Sequence, residues 1–237
     1  MRDQIFEKKH DLVDFTFDQK VVEVFDDMVK RSVPGYQSMI ESIGLMAKTF
    51  GQNNTNYYDL GASTGAVSLA LGLNNPHQNT RIIAVDKSKQ MSRKCEKNLE
   101  GRISNYTVIC SDIVDICIEN ASIVVLNLTL QFIHPEKRQA LIDKIYQGLN
   151  SGGVLIISEK IHFEDHATQD AMTQLHLDYK RANGYSELEI ANKRQAIENV
   201  LITDSKKTHL DRLKNSRFGQ SFCYLQNLNF ASFLAIK

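Results

Sequence analysis

A chain of 237 residues, 42% of them hydrophobic, can bury a substantial core and fits a single α/β domain over 1–237. Its 28 basic and 28 acidic side chains cancel, so it lacks the broad basic field that supplies most nucleic-acid affinity, and direct RNA or DNA binding is not expected. The four cysteines (Cys95, Cys110, Cys117, Cys223) form no C-x-x-C pair, the first residues lack a signal-peptide core, and no apolar run could span a bilayer, so a cytoplasmic protein with reduced thiols is predicted.

Thr16-Phe17-Asp18-Gln19 has the form of a capping box, and Val21, Val24, Phe25 and Met28 follow at helical spacing, predicting an amphipathic helix from Asp18 to Ser32. Val33-Pro34-Gly35 breaks it. A second helix begins near Tyr36, with Ile40, Ile43, Ala47 and Phe50 on its stripe, and residues 1–50 together read as a helical lid. Apolar runs at Tyr57 to Leu60, Ile82 to Val85, Thr107 to Ile109, Ile123 to Leu126 and Val154 to Ile157 then alternate with helical or turn-rich stretches. That alternation predicts a mostly parallel sheet with helices on both faces. The helix before the last run starts at Pro135, carries Leu141, Ile145 and Leu149, and stops at Asn150-Ser151-Gly152-Gly153. Residues 168–201 interrupt the pattern with two helices, one carrying Met172, Leu175, Tyr179 and Ala182, the other Ile190, Arg194, Ile197 and Leu201. A helix from Ser205 to Asn215 leads to two runs, Phe222 to Leu228 and Phe230 to Ile236, that suit a closing antiparallel pair.

The chemistry is marked by Tyr58-Asp59-Leu60-Gly61-Ala62-Ser63-Thr64-Gly65, a strand turning through glycines into a helix, with a second strand ending in Asp86 about twenty residues on. Asp86 could accept hydrogen bonds from both hydroxyls of a ribose. A dinucleotide fingerprint needs G-x-G-x-x-G to bring amides and a helix N-terminus to a pyrophosphate; this run is G-x-x-x-G behind an acid. It resembles the opening motif of the class I S-adenosylmethionine-dependent fold, whose ligand is a cationic sulfonium. In an open parallel sheet the ligand lies beyond the carboxyl ends of the strands, where this chain places Gly61, Ala62, Ser63, Asp86, Lys87, Asp112, Ile113 and Asn127. Asp112 could accept from an adenine amine and the Ile113 amide could donate to a ring nitrogen. Taken singly each is as readily a strand-end cap; their shared placement favours a site.

Arg194 lies in phase with Ile190, Ile197 and Leu201, which puts a guanidinium on the stripe that should face protein. Three readings stay open: a bidentate carboxylate ligand, a pair with Glu198 one turn on, or a stem that covers core while its head reaches water. His162 and His166 are four apart but do not match H-E-x-x-H and follow a strand, so no metal is expected. No serine or cysteine has a recognisable base partner.

Arg31-Ser32-Val33-Pro34-Gly35-Tyr36, the glycine loop, Asn120 to Phe132, Asp143 to Asn150, and Lys180-Arg181-Ala182-Asn183-Gly184-Tyr185-Ser186-Glu187-Leu188-Glu189-Ile190 together resemble the bacterial carboxy-S-adenosyl-L-methionine synthase family, nearly end to end. The resemblance implies an α/β, class I methyltransferase-like (Rossmann-like) fold with an N-terminal helical lid and a two-helix insertion before the closing antiparallel strands. It implies conversion of S-adenosyl-L-methionine and prephenate to carboxy-S-adenosyl-L-methionine and phenylpyruvate. A partner tRNA carboxymethyltransferase would spend the product on a wobble uridine. In that chemistry prephenate aromatises, its departing hydroxide takes a proton from the sulfonium methyl, and the ylide captures carbon dioxide, so no protein base is required. By position, Tyr36, Gly61, Ala62, Ser63, Asp86, Lys87, Asp112, Ile113 and Asn127 would bind the S-adenosyl ligand and Arg194 the transferred carboxylate. The family also implies a homodimer, for which the helical insertion offers apolar stripes. Ala62 stands where cysteine is usual in the family and Lys87 where asparagine is usual. A conventional methyltransferase and a non-catalytic carrier of the ligand share the same pocket and are separated from this reading by their products.

Overall fold

The structure is a computed structural model that describes residues 3, 19–197 and 200–237. Two helices lead: α1 (Gln19–Ser32) and α2 (Tyr36–Phe50). The alternating part follows as β1 (Asn56–Leu60), α3 (Ala66–Asn74), β2 (Arg81–Asp86), α4 (Lys89–Leu99), β3 (Tyr106–Cys110), β4 (Ala121–Asn127), α5 (Pro135–Gly148) and β5 (Leu149–His162). Then come α6 (His166–Ala182), α7 (Glu187–Ile197), a short β6 (Asp204–Ser205), α8 (Lys206–Asn215), β7 (Gln220–Asn227) and β8 (Phe230–Ile236).

The strands form one sheet in the order β3-β2-β1-β4-β5-β8-β7, with β6 on β5. The first five are parallel, and β8 runs antiparallel to β5 and to β7. The chain builds outward from β1 to β3 and then returns to the other side of β1 as β4. Strand order therefore reverses between β1 and β4, and a crevice opens above their carboxyl ends.

Period-two alternation sorts the strands between two cores. Tyr58 and Leu60 of β1, Val124 and Leu126 of β4, and Leu155 and Ile157 of β5 pack with Leu141, Ile142 and Ile145 of α5. Tyr57, Ile123, Val125, Val154 and Ile156 face the other way, onto Met39, Ile43 and Ala47 of α2 and Val67 and Leu71 of α3. β4 is buried on both faces, which is why its sequence reads as an unbroken apolar run. α2, expected as part of a lid, is built into this second core, with Ile43 and Ala47 fully buried. α1 has its own small cluster, in which Val21, Val24 and Met28 meet Met91 of α4.

Two expectations change, and one falls outside the described residues. Thr16, Phe17 and Asp18 of the proposed capping box lie outside the described residues, and α1 is described from Gln19. On α6 the predicted apolar stripe turns inward only in part: Tyr179 reaches Lys30 O at 3.1 Å, but Leu175 is 46% exposed, and the buried residue of the helix is His176. Its inner face is instead the polar series Gln169, Thr173, His176 and Lys180, with Leu177, because this helix walls a cavity rather than a core. α7 is described to Ile197, Leu201 lies outside it, and Arg194 is exposed. Among the described side chains of α7, the buried ones are Glu189, Ile190 and the neighbouring cation, Lys193. Glu198, the proposed intrahelical partner of Arg194, lies outside the described residues.

Candidate functional site

A cavity of about 1150 Å³ opens above β1 and β4, walled by α1, α6 and α7. That exceeds the roughly 300–1,000 Å³ of a pocket for one small ligand, leaving room for two reactants. Tyr36, Gly61, Ala62, Ser63, Asp86, Lys87, Asp112, Ile113, Asn127 and Arg194, gathered from the start of α2, the ends of β1 to β4 and the last turns of α7, all line it.

The glycine loop is held from behind. The Gly61 and Ala62 amides both donate to Val85 O, at 2.8 and 2.9 Å, and the Ser63 amide donates to Asp86 Oδ2 at 2.9 Å. With these amides turned into the protein, the loop cannot use them to cradle a pyrophosphate. Gly61 sits at φ 82°, and a Cβ there would fall onto the Thr129 side chain, 2.9 Å from its Cβ. Only glycine lets the loop pass that close.

Asp59 lies beneath the loop, 1% exposed, where its Oδ2 accepts from Ser68 N and Oγ at 2.9 and 2.7 Å. Burial raises its carboxyl to about 6, against the lowering effect of the two Ser68 bonds. A sulfonium or ammonium in the cavity would favour its charged form. Asp86 accepts from Ser63 N through Oδ2 and from Ser88 N through Oδ1, at 2.9 and 2.8 Å, so each oxygen keeps a lone pair for a ribose hydroxyl. Burial raises this carboxyl too. Asp112 accepts from Val114 N at 3.1 Å through Oδ1 only, beside the buried Ile113. Asn127 ends β4 with its Oδ1 buried and unpartnered, a deficit that a ligand donor would remove. These residues fit an S-adenosyl amino acid: paired acceptors for a ribose, an acceptor for an adenine amine, and acids for positive charge. Tyr36 is buried at the start of α2, and burial, followed by Asp26 and Asp59, pushes its phenol well above the ordinary range. Lys87 is exposed at the rim.

The far wall is cationic. Lys160 extends β5 beyond Asn127, Lys180 comes from α6, and Arg194 comes from α7. His176, between them, shares its Nε2 with Ser32 O at 2.8 Å, and burial, then Lys180, lowers it to about 3, so it is neutral. Lys193 sits deeper, 6% exposed, with Nζ 2.7 Å from Ser32 Oγ and 3.8 Å from Asp3 Oδ2.

Two supporting residues went unnoticed in the sequence. Glu159, fully buried in β5, accepts from the amides of Thr129, Leu130 and Gln131 at 3.0, 2.7 and 3.2 Å and fixes the loop after Asn127. Its burial raises it to about 8 in spite of those bonds. Arg138, 1% exposed on α5, pairs with Asp204 at 2.7 Å and donates to Ile133 O and Ile202 O, each at 2.8 Å, pinning the segment that closes the cavity rim. Arg138 is in helical phase with Leu141, Ile142 and Ile145, so the criterion that singled out Arg194 also picks it. The His162 and His166 pair is separated in role: His162 Nδ1 meets Thr203 at 3.1 Å, while His166 opens α6 behind its cap Asp165.

Residues 58–153 match a family model described as a methyltransferase domain. Among solved structures, an O-methyltransferase family protein from Burkholderia thailandensis superposes with a TM-score of 0.66 at 15% identity over 93% of this chain, which shows the shared fold. This chain spans 60% of that protein's length. Curated relatives are far nearer. The carboxy-S-adenosyl-L-methionine synthase of Ruthia magnifica is 66% identical over 100% of both chains. The enzyme of the same name from Hydrogenovibrio crunogenus is 51% identical over 100% of this chain and 95% of its own. With end-to-end identity at that level, this chain belongs to the carboxy-S-adenosyl-L-methionine synthase family.

Proposed function

We propose that this protein makes carboxy-S-adenosyl-L-methionine from S-adenosyl-L-methionine and prephenate, releasing phenylpyruvate and water. The observation that carries the reading is the polarity of the cavity, with Asp59, Asp86 and Asp112 along the strand ends and Lys160, Lys180 and Arg194 across from them. A cationic adenosyl ligand and an acidic second substrate would be drawn to opposite walls, with their reacting groups between. A conventional methyl acceptor gives no reason for three cations there.

The reaction balances without a protein base. Prephenate loses its ring carboxyl as carbon dioxide and its hydroxyl as hydroxide; hydroxide and a sulfonium-methyl proton give water, and the methyl carbon bonds carbon dioxide. The protein's part is to bind, to exclude water and to hold charge, with Arg194 facing the carboxylate that is transferred. Asp59 would hold the positive end of the donor, and Asp86 its ribose.

The same reading makes the protein a cytoplasmic supplier of the carboxymethyl donor used by a tRNA carboxymethyltransferase on wobble uridine. It acts as a homodimer, for which the exposed Leu175 of α6 and Leu188 of α7 offer apolar surface. Balanced charge supports small-molecule chemistry over direct contact with tRNA. The decisive experiment incubates the protein with S-adenosylmethionine, with and without prephenate, and follows products by mass spectrometry. Prephenate-dependent gain of one carbon dioxide by the donor supports the reading; S-adenosylhomocysteine formation with a methylated acceptor, or binding without conversion, overturns it.

A further inference from the structure

Lys160 and Lys180 are the unexplained charges of the cavity. Lys160 pairs in register with Phe230 of β8, whose ring packs edge-on against His176 at 5.3 Å; Lys180 follows His176 by one helical turn. Both lysines line the cavity, and among the described residues neither ammonium has a hydrogen-bond or ion-pair partner. The acids of the cavity, Asp59, Asp86 and Asp112, stand on the strand-end wall and accept from Ser68, from Ser63 and Ser88, and from Val114, not from these lysines. Lys193 is served by Ser32 and Asp3, and His176 is neutral. Among the described residues, the charged group acting on Lys160 is Arg194, and those acting on Lys180 are Lys160 and Arg194. Burial and then this mutual repulsion depress both amines, Lys180 to about 8. Lys160 and Lys180, like-charged and with no acid partner among the described residues, are unfavourable together in the empty protein and become favourable once an anion enters.

One carboxylate at Arg194 leaves that pair unanswered. A second substrate with two carboxylates answers both, provided the second is held away from the reacting carbon. We propose that Lys160 and Lys180 form a second anion subsite, which grips the 2-oxo-acid carboxylate of the co-substrate, the one that leaves on the product, while Arg194 faces the carboxylate that is transferred. Selection for a dianion then lies in this lysine pair, and a monocarboxylate product still finds half of the site.

The inference rests on the proposed function, and its test separates the two. Wild-type protein is first assayed for prephenate-dependent gain of carbon dioxide by S-adenosylmethionine; absence of that product removes the proposed function whatever the lysines do. Phenylpyruvate, which keeps only the 2-oxo-acid carboxylate, is then titrated calorimetrically into protein saturated with S-adenosylhomocysteine. Lys160→Met and Lys180→Met should each weaken phenylpyruvate about 10-fold, the cost of one charge-assisted contact, and the double variant should abolish measurable binding. Arg194→Ala should bind phenylpyruvate as wild type does. S-adenosylhomocysteine affinity should stay within about 3-fold throughout, and the KM for prephenate should rise more than kcat falls in the lysine variants. Lys180→Arg should restore most of the binding, which a merely structural lysine would not require. Lys160→Gln and Lys180→Gln supply the same comparison if a methionine variant does not fold. Undiminished phenylpyruvate binding in the folded double variant, or its loss in Arg194→Ala alone, overturns the assignment.

Discussion

Replacing Gly61 by alanine tests how the loop and the opposite wall depend on each other. At φ 82° an alanine carries about 1–2 kcal/mol of left-handed strain, and its methyl would lie 2.9 Å from Thr129 Cβ. Rotating the threonine clears its outer atoms but not its Cβ, so the backbone of Thr129 must retreat by about half an ångström to reach ordinary contact. That backbone hangs on Glu159 through bonds of 3.0, 2.7 and 3.2 Å, and degrading one of them adds about 1.5–3 kcal/mol. The sum is about 2.5–5 kcal/mol. If it appears mainly as displacement of the Asn127 loop from the ligand, S-adenosylmethionine binds at least about 60-fold more weakly. Isothermal calorimetry gives the affinity and urea unfolding gives the part that appears as lost stability. Adding Thr129→Gly removes the clash but not the strain, so the double variant should recover about half of the deficit. Gly61→Ala with wild-type affinity and stability, or a deficit untouched by Thr129→Gly, refutes the coupling.

Asp86→Asn leaves one of the amides of Ser63 and Ser88 facing an NH2 group, a loss of about 1–3 kcal/mol that should weaken S-adenosylmethionine about 10- to 100-fold by calorimetry; unchanged affinity would take the ribose away from Asp86. The pH dependence is set partly by His176, whose folded value of about 3 lies below its ordinary 6.5. The unfolded chain therefore binds a proton that the native protein refuses, and stability falls as pH drops from 6.5 toward 3. At pH 5 this amounts to about 2 kcal/mol, so His176→Gln, which keeps a donor for Ser32 O, should lose that much less between pH 7 and 5 in paired urea titrations. Asp59 and Glu159, with folded values raised to about 6 and about 8, act in the opposite direction, which is why the comparison is made between variants rather than on the wild-type curve alone. Parallel curves for wild type and His176→Gln would show that the imidazole is not held neutral.

The parallel sheet was legible because its information is local and repetitive. β4 is apolar on both faces and reads as a run, Pro135 starts α5, and Asp86 stands where β2 ends. The strand-end residues followed from topology, since a sheet that reverses between β1 and β4 opens its crevice in one place. Hydrophobic period failed in part on α6, where Leu175 points to solvent and His176 and Lys180 face inward. Period identifies the face that meets a core, and a helix that walls a water-accessible cavity turns its polar face to the protein. Glu159 was invisible for another reason. A carboxylate inside an apolar strand has no local partner, and the three amides that explain it come from about thirty residues earlier in the chain.

The two walls of the cavity differ in origin, and that difference separates the shared chemistry from the special one. The acidic wall is made by Asp59, Asp86 and Asp112 at successive strand ends, positions that the fold supplies to any adenosyl ligand. The cationic wall comes from the extension of β5 past the sheet and from α6 and α7, elements that the parallel sheet does not require. A methyl acceptor needs only the first wall and a nucleophile. Under the proposed function, carboxyl transfer to a sulfonium methyl needs a second charged reactant held against the first, and opposite charges on facing walls would bring an adenosyl cation and a dianion together without a base or a covalent intermediate. Substitutions on the acidic wall should therefore cost affinity for the adenosyl ligand whatever its partner. Substitutions among Lys160, Lys180 and Arg194 should leave that affinity intact and change which acid is accepted.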